Sequence, residues 1–249
     1  MPGAAAGSGT RAAGAADALG PVIEALHAGG PLRVWSLVIT VFGDAVEPRG
    51  GRIASARLAA LLGRLGVSAG AMRTALSRLA ADGWVARDRE GRNTFYRLGP
   101  RGSREFGPAG ALIYAPPEEG PARRWRLWLP LPGGQAPALG AHQRPVALPG
   151  GALIWPERRA PAQGPGEGLV LEGALVQVPA ALRAALADPA QRAALERLRG
   201  AFAGLDPGAL GPLEAMAART ALIHMWRRIV LRWPELPAEL APADWPGLG

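Results

Sequence analysis

Apolar residues recur at helical spacing in three short stretches of the first third of the chain, and the intervals between them are turn-like. Val34, Leu37, Val38 and Val41 set one face of a helix over 32–42, which Gly43-Asp44 and Pro48-Arg49-Gly50-Gly51 are expected to end. Ser55 is the expected N-cap of a second helix over 56–65, with Leu58, Leu61, Leu62 and Leu65 on one side. Gly66 then supplies a cheap left-handed position, Val67 turns inward, and Ser68 caps a third helix over 69–81. Met72, Leu76 and Leu79, with Ala75 and Ala80, make its core stripe, while Ser68, Gly70, Arg73, Thr74, Ser77 and Arg78 line the opposite face. Gly83 closes that helix. Two strand-like runs, 84–87 and 94–98, predict a hairpin whose tip carries Arg89, Arg92 and Asn93.

The rest of the chain changes character twice. Residues 1–30 are rich in small residues without a sustained apolar face and are expected as a flexible leader, with a short helix at most over 22–27. Over 121–178 short apolar runs separated by Pro and Gly, at 125–131, 146–148, 152–155 and 169–178, read as strands of a small middle α+β domain. Helical periodicity returns over about 180–187, 190–204 and 209–232, giving a helical C-terminal domain over 179–249. The fold class expected is α+β.

Charge sharpens one region. Residues 1–48 carry net −2 and residues 105–249 net +1, whereas 49–104 hold 12 Arg against 3 acids and carry +9, so the chain's net +8 arises in that segment. Two short helices joined by a glycine-containing turn, followed by a hairpin, form a winged helix-turn-helix over 31–104, and a basic excess confined to that module is the footprint of phosphate contact. The third helix would enter the major groove, with Arg73 and Arg78 suited to guanine or phosphate, while the hairpin tip touches an adjacent backbone or minor groove. Helix-helix-hairpin units also serve as dimerisation or protein-binding modules, and that alternative stays open on the residues alone.

Composition excludes several chemistries. There is no Cys, so no disulfide framework, thiolate site or Cys nucleophile exists. His27, His142 and His224 are too far apart for a paired-His metal motif, and neither a metal nor a cofactor is expected. No 18-residue apolar run or signal-like N-terminus occurs, so the chain is read as cytoplasmic and without a membrane partner. Every basic residue is Arg, which a GC-rich coding bias explains together with the abundance of Ala, Gly and Pro.

Two blocks resemble a known family. Ser36–Asp44 with Pro48-Arg49-Gly50-Gly51, then Gly66-Val67-Ser68, Met72–Leu79, Gly83-Trp84 and the hairpin from Gly91-Arg92 to Tyr96-Arg97-Leu98, look like PaaX-type repressors of phenylacetic acid degradation. The far end repeats the likeness: His224, Arg227-Arg228 and Leu231, then Pro234-Glu235-Leu236-Pro237, Leu240-Ala241-Pro242 and Trp245-Pro246-Gly247. The resemblance implies a transcriptional repressor built of a winged helix-turn-helix, a ferredoxin-like (Cas2-like) middle domain and a helical C-terminal domain. It further implies a homodimer on a palindromic double-stranded DNA operator, released by an aryl-acyl-CoA effector. Trp125-Arg126-Leu127-Trp128 and Leu153-Ile154-Trp155-Pro156 match middle-domain strands, but 132–144 is short and Gly/Pro-rich, so an eroded version of that domain is expected. The strand end Leu129–Pro132 lacks the metal-binding Asp of related nucleases.

Outside the basic module, His224, Arg227 and Arg228 form a cationic cluster that is the candidate contact for the effector's phosphate or carboxylate, with a partly buried helix histidine as the plainer reading. Trp226, Trp233 and Trp245 could wall an effector pocket or simply close a core. Glu118-Glu119 reads as a solvated linker pair, and Arg123-Arg124-Arg126 as phosphate contacts or strand-edge charge. No catalytic residue is assigned. The competing class is a nucleic-acid-processing enzyme that uses the winged module for targeting and a carboxylate cluster drawn from Glu157, Glu167 and Glu172.

Overall fold

Leu19, Val22 and Leu26 are spaced to fall on one side of a helix, and all three are buried along helix α1 (Gly20–Ala28). In the computed structural model, which describes residues 18–116, 120–135, 137–139, 144–160 and 167–247, this stripe packs into the core of the first of two compact units. That placement corrects the expectation of a leader without an apolar face for residues 18–28; residues 1–17 of the leader lie outside the described residues.

The first unit comprises residues up to Gly110 together with Arg197–Arg228. Helix α2 (Val34–Val41) does not stop at Gly43-Asp44 but runs on as a π turn (Phe42–Val46) and a 3₁₀ turn (Glu47–Arg49). Two contacts hold that widened turn. Gly43 lies against the Phe106 ring, where an added Cβ would come within 2.1 Å of Cε1. Arg49 Nη1 donates to the carbonyls of Asp44 and Ala45 at 3.2 and 3.3 Å, covering oxygens at the helix end. Strand β1 (Arg52–Ala54) then leads directly into helix α3 (Ser55–Arg64), whose Leu58, Leu61 and Leu62 are buried, as is Leu65 just beyond it. Because Ala54 is held extended in β1, it is the residue that precedes the helix, and Ser55, expected as the cap, is already helical and makes no capping hydrogen bond.

Gly66 takes φ +80°, Val67 is buried, and helix α4 (Ala69–Ala81) begins with Ser68 Oγ accepting from the Ala71 N–H at 3.2 Å. Met72, Ala75, Leu76 and Leu79 face the core; Ala80, expected among them, is exposed. Strands β2 (Val85–Glu90) and β3 (Asn93–Leu98) pair antiparallel, and β1 adds to the other side of β3, giving the order β1-β3-β2. Helix α5 (Pro100–Ile113) follows and leaves the unit at its C-terminal end.

The second unit comprises residues 111–196 and 229–249. Its sheet contains β4 (Trp125–Pro130), β5 (Val146–Ala147), β6 (Leu153–Pro156) and β7 (Gly168–Gly173) in the order β5-β6-β4-β7, every neighbouring pair antiparallel. Trp125, Trp128, Ile154 and Trp155 fill its core. Among the described residues between β4 and β5 there is no helix, and between β6 and β7 only a 3₁₀ turn (Glu157–Arg159). The expected last strand over 169–178 ends at Gly173, and 174–179 continue without regular structure.

Helices α6 (Ala180–Leu186), α7 (Pro189–Phe202) and α8 (Pro212–Val230) complete the chain. Asp188 starts α7, accepting from the N–H groups of Ala190 and Gln191 at 2.7 and 3.2 Å, while its other oxygen accepts from Trp233 Nε1 at 2.7 Å. The indole bond is the largest of the effects that hold this carboxyl below its ordinary range. Arg192 reaches both carboxylate oxygens of Asp244 at 3.1 Å and lies over the Trp245 ring. Trp233 and Trp245 therefore tie the C-terminal tail to α7. The residues 197–228 of the expected C-terminal domain belong instead to the first unit, where Ala217, Ala218 and Ala221 are buried in its core.

Candidate nucleic-acid interface

The outer face of α4 is built from positions 70, 73, 74, 77 and 78, which the 3.6-residue period sets opposite Met72, Ala75, Leu76 and Leu79. All are exposed, as is Ser68 at the cap. The first turn, Ala69-Gly70-Ala71, holds small side chains and no acid, so the partly positive N-terminal end of the helix is neither screened nor blocked. The Thr74 hydroxyl donates back to the Gly70 carbonyl at 3.1 Å, which fixes its rotamer and leaves its oxygen able to accept. Arg73 and Arg78 make no ion pair among the described residues.

The hairpin has two unlike sides, and its register decides which is which. Val85 pairs opposite Leu98, Arg87 opposite Tyr96 and Arg89 opposite Thr94, so Arg87 and Arg89 extend outward along the side whose base, Val85 and Leu98, is buried in the core. The reverse side is neutralised internally. There Arg97 Nε donates to Asp88 at 3.0 Å, Arg52 forms an ion pair with Glu90, and the Arg52 guanidinium lies 4.5 Å from the Phe95 ring centre. Gly91 turns the tip at φ +58°, with Arg92 and Asn93 exposed beside it.

Of the eight residues expected at a DNA surface, the structure thus sets Ser68, Arg73, Thr74, Ser77 and Arg78 on one exposed helix face, and Arg89, Arg92 and Asn93 on the distal half of the hairpin. Arg87 was not anticipated. Its position in an apolar run made it look like an ordinary strand residue, and only the register with Tyr96 aligns it with Arg89. Of the basic residues in 49–104, Arg52, Arg64 and Arg97 are bound to acids, while Arg57, Arg73, Arg78, Arg87, Arg89 and Arg92 are exposed without an acid partner among the described residues.

The second cationic cluster behaves differently. His224 is 1% exposed. The Thr40 hydroxyl donates to the Ser36 carbonyl at 3.0 Å, so it accepts from His224 Nδ1 at 3.0 Å and from Arg227 Nη1 at 3.0 Å. Arg227 Nη1 also donates to the Ser36 carbonyl at 3.0 Å. Burial, reinforced by the charges of Arg227 and Arg228, lowers the His224 pKa to about 3, so the ring is neutral at physiological pH. One turn and more along the same helix, Arg219 binds the buried Asp44 carboxylate with both nitrogens at 2.7 and 2.8 Å, and Glu214 meets Arg64 at 3.2 Å. His224 and Arg227, expected to meet an effector, instead fasten α8 to α2; Arg228 alone of the three is exposed.

No group of three or more potential metal-ligating side chains occurs among the described residues. Glu157 is held by Arg124 at 3.1 Å and Glu172 by Arg126 and Arg124, so two of the three carboxylates of the enzymatic alternative are engaged with cations. Glu118, Glu119 and His142 lie outside the described residues. No helix among the described residues is long and apolar enough to cross a membrane.

Residues 33–102, which run from α2 through the hairpin to the start of α5, match the family model described as PaaX-like protein, and residues 190–249 match the PaaX-like protein C-terminal domain. The transcriptional repressor PaaX of Escherichia coli (strain K12) is 32% identical to this chain, in an alignment of 243 residues that covers 87% of this chain and 77% of the relative. On both grounds, the chain belongs to the PaaX-like protein family.

Proposed function

We propose that this protein is a transcriptional repressor that binds double-stranded DNA through a winged helix-turn-helix, with α4 as the reading helix in the major groove and the β2-β3 hairpin as the wing. The observation that carries this reading is the surface of unpaired arginines, Arg73 and Arg78 on α4 with Arg87, Arg89 and Arg92 on the hairpin, in the stretch that matches the family. Its charge has no acid to satisfy it within the described molecule, and duplex phosphate is an abundant polyanion for such a surface. Ser68, Thr74, Ser77 and Asn93 supply short polar contacts, and the small first turn permits close entry into a groove about 12 Å wide. The relative is a transcriptional repressor, and the same role is assigned to this chain.

The finer parts of the reading follow from the family likeness. A homodimer would set two reading helices about 34 Å apart on a palindromic operator, and an aryl-acyl-CoA would release it. The strand order β5-β6-β4-β7 with all neighbours antiparallel supports a ferredoxin-like middle domain from which the crossover helices have been lost. The ion pairs on Glu157 and Glu172 favour a non-enzymatic role, because a metal-assisted hydrolase needs its carboxylates free to converge on an ion.

The test is a mobility shift with duplex DNA from the region upstream of the protein's own gene. Binding should weaken steeply with salt, and phenylacetyl-CoA should dissociate the complex. Absence of any complex at low salt, or equal affinity of wild type and the Arg73→Ala/Arg78→Ala double variant, would overturn the reading.

A further inference from the structure

The second unit contains a cavity of about 450 Å³ with a mixed lining that shares no residue with the proposed DNA surface. Its apolar lining includes Trp125, Leu175, Val176 and Val178, and two of its lining residues, Arg123 and Arg183, are cationic. The two arginines differ in their attachments. Arg183 is fixed in place, with Nη1 donating to the Ala241 carbonyl at 2.9 Å and Nε to that of Val178 at 3.5 Å, but both acceptors are neutral and leave its charge uncompensated. Arg123 is exposed and has no partner among the described residues. The acid in the lining, Glu239, accepts from the Ala122 N–H and forms an ion pair with neither arginine.

The wall over 174–178 adds a second unusual feature. After β7 ends at Gly173 the chain runs on without pairing, and the N–H groups of Leu175, Val176, Gln177 and Val178 donate to no acceptor among the described residues. Val176, in the cavity lining, is 97% exposed, an apolar side chain left to solvent among the described residues. Uncommitted backbone donors, two uncompensated guanidinium groups and an apolar floor together fit one kind of guest: an organic anion with an apolar body. The volume lies in the range of small-molecule sites.

We infer that this cavity binds a small organic anion whose carboxylate or phosphate meets Arg123 and Arg183 and whose aromatic or aliphatic body lies against Trp125 and Val176. As the seat of the effector it rests on the repressor reading; as a binding site it stands without it. The probe is 2-naphthoate, titrated into the ¹⁵N-labelled full chain, with neutral 2-naphthylmethanol as the uncharged comparison. Saturable shifts should concentrate at Arg123, the Trp125 indole and 174–178, and naphthoate should bind at least fivefold more tightly than the alcohol. Arg123→Gln should raise the naphthoate Kd tenfold or more, and Val176→Asp, which sets a like charge at an exposed position that folding does not use, should do the same. Scattered or non-saturating shifts, or unchanged affinity in both variants, would overturn the inference. A mobility shift without ligand, run on the same samples, separates the two readings: loss of DNA binding with intact naphthoate binding sinks the repressor and leaves the site, and the converse leaves the repressor and sinks the site.

Discussion

Two arginine-rich surfaces of the first unit share a residue type and differ in everything else. On α4 and the hairpin, Arg73, Arg78, Arg87, Arg89 and Arg92 are exposed, with no acid partner among the described residues. On α8, Arg219 and Arg227 are spent on Asp44, Ser36 and Thr40, around a histidine that has lost contact with water. The cause is what each helix packs against. The outer face of α4 is exposed among the described residues, whereas α8 brings Ala217, Ala218 and Ala221 against the core, and small side chains let its polar neighbours reach α2. Charge without a partner in the fold is available to a ligand; charge committed to a fixed partner, as the half-exposed Arg219 is to the buried Asp44, is structural.

The largest expected effect breaks the buried side of this comparison. Because the folded His224 pKa of about 3 lies below the ordinary 6.5, the unfolded chain takes up the proton first as pH falls. Its contribution to stability is therefore complete above about pH 6.5 and is lost progressively toward pH 3, on the order of 5 kcal/mol over that window. Urea unfolding followed by circular dichroism at a series of pH values should show this slope, and His224→Asn, which keeps a donor toward Thr40 but cannot titrate, should flatten it.

Next comes the Asp44–Arg219 pair. Arg219→Ala should destabilise the protein by about 3 kcal/mol, because it removes the bidentate partner of a carboxylate whose side chain is 2% exposed. Asp44→Ala should cost less, since the half-exposed guanidinium can turn to water. Equal costs for the two variants would mean that the carboxylate rehydrates on losing its partner.

Substitutions on the exposed side should move binding and leave folding alone. Arg73→Ala or Arg78→Ala should each lower operator affinity by about 1–3 kcal/mol if the side chain reads a base edge, with unfolding free energy changed by less than about 0.5 kcal/mol. Arg87→Ala should weaken operator and unrelated DNA alike and reduce the salt slope by roughly 1, as loss of one phosphate contact does. The smallest effect sharpens the two-sided hairpin: Arg97→Ala, bound to Asp88, should leave the salt slope within about 0.3 of wild type. A drop as large as that of Arg87→Ala would show that the neutralised side also meets DNA.

Legibility followed the range of the interactions. The faces of α4, the Gly66 turn, the Ser68 cap and the hairpin were readable because each depends on residues within one or two turns of one another. The π turn at Gly43-Asp44 was not, since a glycine and an acid in sequence signal a break; here Phe106 occupies the space beside the glycine and Arg219 neutralises the acid from 175 residues away. The helix of the leader was understated for a related reason: Leu19, Val22 and Leu26 are too few to hold a helix alone, and they become decisive only with a core to enter.

By itself the amino-acid sequence determined the local grammar of the basic module: helix faces, turn positions, hairpin and the +9 concentration of charge. Tertiary structure decided which of those charges remain free. It paired Arg52 and Arg97 on one side of the hairpin, left Arg87 and Arg89 open on the other, and turned His224 and Arg227 inward onto Thr40 and Ser36. The reason is that an arginine carries the same charge in every sequence context, while its availability depends on whether a distant carboxylate or carbonyl is brought within about 3 Å in exchange for its water.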